Sequence, residues 1–276
     1  MRNESKTLLE YLIETQNKSK NVIKTMIQNG SILVDGKTVT KANYPVSMKD
    51  LVTIKPKPIV YQNYEIPILY EDQELIAIEK PAGLLTIATS KEKELTAYHI
   101  VSNYIYQKSH KRIFILHRLD QETSGILIFA KNEKIKNLLQ DNWNSIVRVR
   151  GYYALVEETG LPKKGTIHTW LQETKTHIVY SSKSKIGKEA ITHYQVLSEK
   201  KAVTFLNIHL DTGRKNQIRV HMKELGHPIL GDIKYGNKKT FSRLALHAYH
   251  LEFVHPITKK NISIVSEMPE CFLSYL

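Results

Sequence analysis

The chain has a single cysteine, Cys271, in 276 residues, which excludes an internal disulfide and any zinc site built on cysteine and fits a reducing compartment. Long apolar runs are missing as well. Nothing approaches the roughly 20 consecutive apolar residues that a membrane-spanning helix needs, so no membrane partner is expected. There is no H-E-x-x-H. His247-Ala248-Tyr249-His250 has no acidic or cysteine ligand at a recognisable spacing, so neither metal nor cofactor is expected. Gly226 to Gly231 mimics the start of a phosphate loop, but Asp232 stands where that loop requires a lysine, which excludes a nucleotide-binding reading. The first six residues are polar, and the amphipathic Leu8 to Ile13 is too short for a signal sequence. The chain is therefore read as mature and cytoplasmic.

Acidic residues are the scarcer charge. Against 27 Asp and Glu stand 40 Lys and Arg, a formal net charge of +13. That surplus is the footprint of a polyanion partner. No basic amphipathic helix with exposed leucine or aromatic anchors turns it towards a lipid surface.

Two regions differ in pattern. Over residues 1–58, Leu8, Leu9, Leu12 and Ile13, and then Val22, Ile23, Met26 and Ile27, recur at helical spacing on either side of Asn17-Lys18-Ser19-Lys20. Asn29-Gly30 ends the second helix, Ile32-Leu33-Val34 reads as a strand, Asp35-Gly36 as a tight hairpin turn, and Val46 to Ile54 as further strand. Lys55-Pro56-Lys57-Pro58 has the composition of a stiff, solvated linker. Over residues 59–276 strand-like runs outnumber helices: Leu75 to Ile78, Ile126 to Phe129, Tyr153 to Val156 and Val203 to Leu206. Helices are expected at Ala97 to Tyr106 and Ile218 to Leu225. The prediction is a small α+β domain followed by an α+β domain with a mixed, largely antiparallel sheet.

Two segments carry chemistry. His117-Arg118-Leu119-Asp120-Gln121-Glu122-Thr123-Ser124-Gly125 places polar and charged groups between two apolar runs, where a scaffold commonly displays function. The plain alternative is a polar turn in which Asp and Thr satisfy local backbone donors. Asp211-Thr212-Gly213-Arg214-Lys215-Asn216-Gln217-Ile218-Arg219-Val220-His221 passes from a glycine turn into a helix carrying Arg219. On composition alone Arg219 could equally be a surface arginine, and Tyr152 a strand tyrosine packed on the core.

HRLDQETSG followed by Ala130-Lys131 resembles the catalytic motif of the RluA family of pseudouridine synthases, in its RluD-like subgroup. Arg150-Gly151-Tyr152-Tyr153-Ala154-Leu155-Val156 and the Leu210-to-Asp232 segment are similar to two further motifs. Lys80-Pro81-Ala82-Gly83, Gly187-Lys188-Glu189-Ala190 and Arg243-Leu244-Ala245-Leu246-His247-Ala248 also match. Residues 1–55 resemble the alpha-L RNA-binding module of the ribosomal S-four type. The departures are Lys215-Asn216 in place of the more usual Thr-His, Arg150 in place of a common Lys, and the lack of a His often seen after Lys80-Pro81-Ala82-Gly83.

The resemblance implies a catalytic domain of pseudouridine synthase type, acting on structured RNA without a cofactor. Ribosomal RNA of the large subunit is the leading substrate, transfer RNA the alternative, and a monomer the default. It makes Asp120 the essential carboxylate, Arg219 its partner, and Tyr152 the ring against the target base. It places Leu246 in the uracil pocket and Arg118 in the gap left by a flipped base. RNA contacts are expected from His117, Arg118, Arg214, Lys215 and Gln217, and from Lys20, Lys24 and Lys37 in the small module.

Those residue types suit an isomerisation that breaks a glycosidic carbon–nitrogen bond and rejoins the sugar through carbon 5. A charged carboxylate could attack the anomeric carbon or remove a sugar proton, and a neighbouring guanidinium favours the charged form. A glycosidase would attack the same type of bond but needs a second carboxylate at a defined distance. Glu122, two residues away in the same loop, suits capping or solvation better. The reading from another class is a non-catalytic RNA-binding ribosome assembly factor, from which the role of Asp120 discriminates.

Overall fold

The computed structural model describes residues 6–16, 18–28, 30–47, 49–54, 59–61, 64–90, 92–182, 184–236 and 241–276. Packing divides the chain into two units, Met1–Pro58 and Ile59–Leu276. The linker expected at Lys55 to Pro58, and Asn17 and Asn29 at the helix boundaries, lie outside the described residues.

In the first unit the helices are Leu8–Thr15 and Lys20–Gln28. Thr7 caps the first through a reciprocal box with Glu10, each side chain meeting the other's backbone N–H. Leu8, Leu12, Ile23 and Ile27 turn inward against Ile32, Val34, Val39 and Val46. Asp35 and Gly36 both have positive φ, 49° and 77°. That is the two-residue turn whose twist suits the hairpin joining Ile32–Val34 to Lys37–Thr38.

The second unit is built on a sheet with eleven strands among the described residues. Its main path runs Val179–Ser182, Lys164–Glu173, Lys188–Lys200, Val203–Leu210, Val147–Glu157, Leu246–Val254, Ser124–Ala130, Leu75–Lys80 and Ile68–Glu71. Neighbours are antiparallel except Ser124–Ala130 and Leu246–Val254, which run parallel. The strand Ser124–Ala130 is buried along its whole length. Leu127 and Phe129 pack beneath the helix Ala97–Ser109, while Ile126, Ile128 and Ala130 pack on the other face with Ile135 and Leu139 of the helix Glu133–Asp141. Burial on both faces is why this stretch reads as an unbroken apolar run.

The expected helix at Ala97 to Tyr106 extends to Ser109, where His110 closes it in the left-handed region. The one expected at Ile218 begins a residue earlier, at Gln217. Glu133–Asp141, capped by Asn132, and the short Trp143–Ile146 were not expected.

Candidate active site

The loop from His117 to Thr123 enters the buried strand Ser124–Ala130 and is clamped from beneath by residues 80–86. Thr86 donates its hydroxyl to the Leu119 carbonyl at 2.7 Å and accepts the Leu119 N–H at 3.2 Å. Lys80 is fully buried, and its ammonium donates to the carbonyls of Pro81, Leu84 and Gln121 at 2.8–2.9 Å. Burial pulls its pKa down to about 7, against the attraction of Glu122 and Asp120. At the end of the loop the Ser124 hydroxyl meets Arg243 and His247 Nδ1, and His247 Nε2 meets Ser266. Asp120 is thus displayed from a loop held at both ends.

Asp120 opens into a cavity of about 720 Å³ whose walls include Tyr152, Arg118, Arg150, Arg219 and Leu246. Its carboxylate is 26% exposed and lies 3.6 Å from Arg219 Nη1. The shortest bonds of Arg219 go elsewhere. Nε and Nη2 form a fork onto the two oxygens of Asp232, each at 2.8 Å, and Nη1 also reaches Asn216 Oδ1 at 3.2 Å. Asp232 accepts the N–H groups of Lys234 and Tyr235 as well, so its position is fixed from the backbone. Burial opposes charge on both partners, but their mutual hydrogen bonds outweigh it. The Arg219 pKa is raised and that of Asp232 lowered. Arg219 therefore faces Asp120 as a rigid, permanent cation.

Tyr152 stands across the cavity on the strand Val147–Glu157. A register shift between Gly151 and Tyr152 against Leu246–Val254 breaks the regular alternation at this residue, and such shifts re-aim side chains. Burial pushes the Tyr152 hydroxyl up to about 12, with Arg150 pulling it back and Asp120 adding to the rise. The phenol stays protonated at neutral pH and has no hydrogen-bond partner among the described residues. Leu246, 3% exposed, supplies the apolar wall. Arg118 is exposed at the same cavity and makes no hydrogen bond or ion pair among the described residues.

The structure brings together Asp120, Tyr152, Arg219, Leu246 and Arg118. Three residues expected to contact RNA are already bonded within the chain. Gln217 is 2% exposed and spends both amide N–H groups on Ile191 O and Thr192 Oγ1, while its oxygen accepts from Thr212 and Arg214. It braces the 211–216 loop and has no N–H left for RNA. His117 is held neutral, its pKa lowered to about 4 by burial and then by Arg150. Its Nε2 accepts the Ile128 N–H, so the ring is no phosphate-binding cation. Lys215 is exposed but paired with Glu173. Arg214 is exposed on the cavity rim, with Nε donating to Glu189 O. Lys20, Lys24 and Lys37 are exposed in the first unit, with Lys20 and Lys24 one helical turn apart.

Asp232, Lys80 and Arg150 carry site geometry that sequence reasoning left without a role. For Asp232 the signal was present, because an arginine drawn into the interior requires a carboxylate partner. Among the described residues no group of three or more His, Cys, Asp or Glu is placed to hold a metal ion. No helix among them is long and apolar enough to cross a membrane.

The sequence profile of the RNA pseudouridylate synthase family matches residues 74–224, and that of the S4 domain residues 16–52. The uncharacterized RNA pseudouridine synthase YlyB of Bacillus subtilis is 32% identical over 278 residues, spanning 96% of this chain and 91% of its own length. Ribosomal large subunit pseudouridine synthase D of Xylella fastidiosa is 32% identical over 276 residues, spanning 91% and 82%. The solved structure of human RNA pseudouridylate synthase domain containing 4 covers 75% of this chain and 90% of its own, with a TM-score of 0.62 at 23% identity, a likeness of fold.

Proposed function

Because the chain belongs to the RNA pseudouridylate synthase family and is an RNA pseudouridine synthase, we propose that Asp120 carries the reaction on a uridine flipped into its cavity, with large-subunit ribosomal RNA as the substrate. One observation carries the reading. A partly exposed carboxylate faces an open cavity beside an arginine that Asp232 holds fixed, with a phenol ring and a leucine completing the walls.

The reaction breaks the bond from the sugar carbon C1′ to N1, turns the uracil, and forms a bond from C1′ to C5. The proton on C5 leaves and N1 gains one, so the composition is unchanged. Asp120 serves as nucleophile at C1′ or as base towards the sugar, and either role uses the carboxylate form that the Arg219 cation favours. With its hydroxyl near 12, Tyr152 is a poor base at neutral pH and suits stacking on the uracil. Extruding the base costs a few kcal/mol. Arg118, exposed and unpaired among the described residues, fills the vacated stack with a planar cation. Ribosomal RNA is favoured by the similarity to synthases named for the large subunit and by the S4 domain at residues 16–52.

The test maps carbodiimide-resistant uridine adducts across total RNA from a strain lacking the protein, complemented with wild type or Asp120→Asn. Wild type is expected to restore sites in large-subunit ribosomal RNA. The variant is expected to restore none while binding the RNA with comparable affinity. Restoration by Asp120→Asn overturns the role of Asp120, and sites confined to transfer RNA overturn the substrate.

A further inference from the structure

We propose that the outer face of the strands Lys164–Glu173 and Lys188–Lys200 is a second RNA-binding surface, on which Trp170 stacks a base of the chain flanking the target uridine. The inference rests on the reading of the Asp120 cavity as the site of uridine isomerisation.

Alternation along Lys164–Glu173 buries Thr169 and Leu171, while Thr166, His168, Trp170 and Gln172 lie on the other face. Large aromatic rings on a solvent face are commonly found where a partner binds. Trp170 is half-buried, and within the chain its described ring neighbours are His168, stacked with centroids 4.9 Å apart, and the Lys185 ammonium, 5.9 Å from its ring centre. Lys185 is exposed and makes no ion pair among the described residues. The acids on this face are hydrogen-bonded to ring nitrogens of histidine, Glu189 to His168 at 2.8 Å and Asp211 to His193 at 2.8 Å. An aromatic plane beside an uncompensated cation matches a nucleobase and its phosphate.

The face meets the rim of the cavity at Asp211 and Arg214. Trp170 sits opposite Glu189 in the register, and the Glu189 carbonyl accepts from Arg214 Nε on the cavity rim. The 211–217 loop runs alongside Lys188–Lys200, with Asp211 N–H donating to Ile191 O and Ile191 N–H to Thr212 Oγ1. Two strand spacings, about 10 Å, therefore separate the Trp170 strand from the loop that walls the cavity. A short run of nucleotides leaving the cavity spans that distance. An exposed lysine without an ion-pair partner among the described residues, set at an aromatic ring on a basic protein, favours a phosphate-bearing chain over a neutral protein surface.

Binding is measured in the Asp120→Asn background, so that turnover plays no part, using large-subunit ribosomal RNA stripped of protein and bulk transfer RNA as probes. Trp170→Ala is expected to weaken binding of at least one probe about tenfold, as loss of one base–aromatic stack does, with an unchanged salt dependence, while Trp170→Phe stays near the parent. Lys185→Ala is expected to lower the slope of log affinity against log salt by about one phosphate contact. Ultraviolet crosslinking of the unaltered tryptophan is expected to label residues 164–189, which keeps the test valid even if Trp170→Ala folds poorly. Parental affinity of Trp170→Ala for both RNAs, or a crosslink map without this region, overturns the proposal. So does a Trp170→Ala protein that keeps its RNA affinity and loses a ribosomal protein instead. None of these readouts depends on catalysis by Asp120, whose failure shows in adduct mapping alone.

Discussion

Arg219 gives its two shortest hydrogen bonds to Asp232 and leaves Nη1 to face Asn216 and Asp120. A flexible arginine would swing between the two carboxylates, whereas the fork onto Asp232 fixes the plane of the guanidinium and with it the charge that Asp120 meets. The Asp232 side chain is fully buried and that of Arg219 9% exposed, so solvent does little to screen the pair. Removing one partner of a buried pair costs about 3–5 kcal/mol, because the other charge is left uncompensated. Asp232→Ala is accordingly expected to lower unfolding stability by that order in chemical denaturation, and pseudouridine formation with it. Asp232→Asn keeps an oxygen for the Lys234 and Tyr235 N–H groups and is expected to lose less. A Asp232→Ala protein that unfolds at the wild-type denaturant concentration would show that the fork is dispensable.

At the scale of elements, the site depends on one close approach, where the strand after the Asp120 loop runs parallel to the strand that begins with Leu246. Gly125 has φ +109° there, and a Cβ on it would sit 2.1 Å from the Ala248 carbonyl oxygen. An alanine cannot adopt that backbone without strain, nor avoid that oxygen without parting the strands. Gly125→Ala is expected to cost about 3 kcal/mol or more. It should also loosen the Ser124–His247 contact that anchors the loop, so that turnover falls further than RNA affinity. A variant with wild-type melting and turnover would refute this account.

How much of these elements was legible in the sequence depended on how local their cause was. The apolar run at Ile126 to Phe129, the Asp35-Gly36 turn and the Gln217 helix declare themselves by composition and period. The helix Glu133–Asp141 has an Asn cap and buries Ile135 and Leu139, but it is only nine residues long and most of its positions are polar, so its period is weak in the sequence. That Asp120, Tyr152 and Arg219 share one cavity is expected only from the resemblance, because nothing local distinguishes a cavity tyrosine from a core one. Asp232 and the inward turn of Gln217 are products of tertiary pairing, 13 residues and 25 residues from their respective partners Arg219 and Thr192, and no periodicity encodes them.

For the whole molecule, the two units carry separate cores, and their titratable groups differ in kind. All twelve histidines of the chain lie in Ile59–Leu276. Among them His221 and His247 are fully buried, each with a pKa lowered to about 4, His221 by burial and His247 by burial and then by the charge of Arg243. Unfolding returns each to its ordinary value near 6.5, so between pH 6.5 and 4 the unfolded chain binds more protons than the folded one. The sign follows: their contribution is complete above pH 6.5 and is lost as pH falls below 4, by roughly 3 kcal/mol for each residue at the limit. Glu79, raised by burial, works in the opposite sense, one group against four, because His117 and His209 are lowered as well. Among the described residues of Met1–Pro58 the resolved shifts belong to Glu10 and Asp50, lowered by hydrogen bonds from Thr7 and Ser47 respectively, and they act only below the ordinary carboxylate range. Acidification from pH 6.5 to 4.5 is therefore expected to lower the hydrogen-exchange protection factors, corrected for the intrinsic pH dependence of exchange, across the sheet of the second unit while the Leu8 and Ile23 helices keep theirs. Replacing His221 and His247 by Asn should flatten that pH dependence even where it lowers stability at neutral pH. Equal loss of protection in both units over this range would mean that the buried histidines do not set the acid limit of the fold.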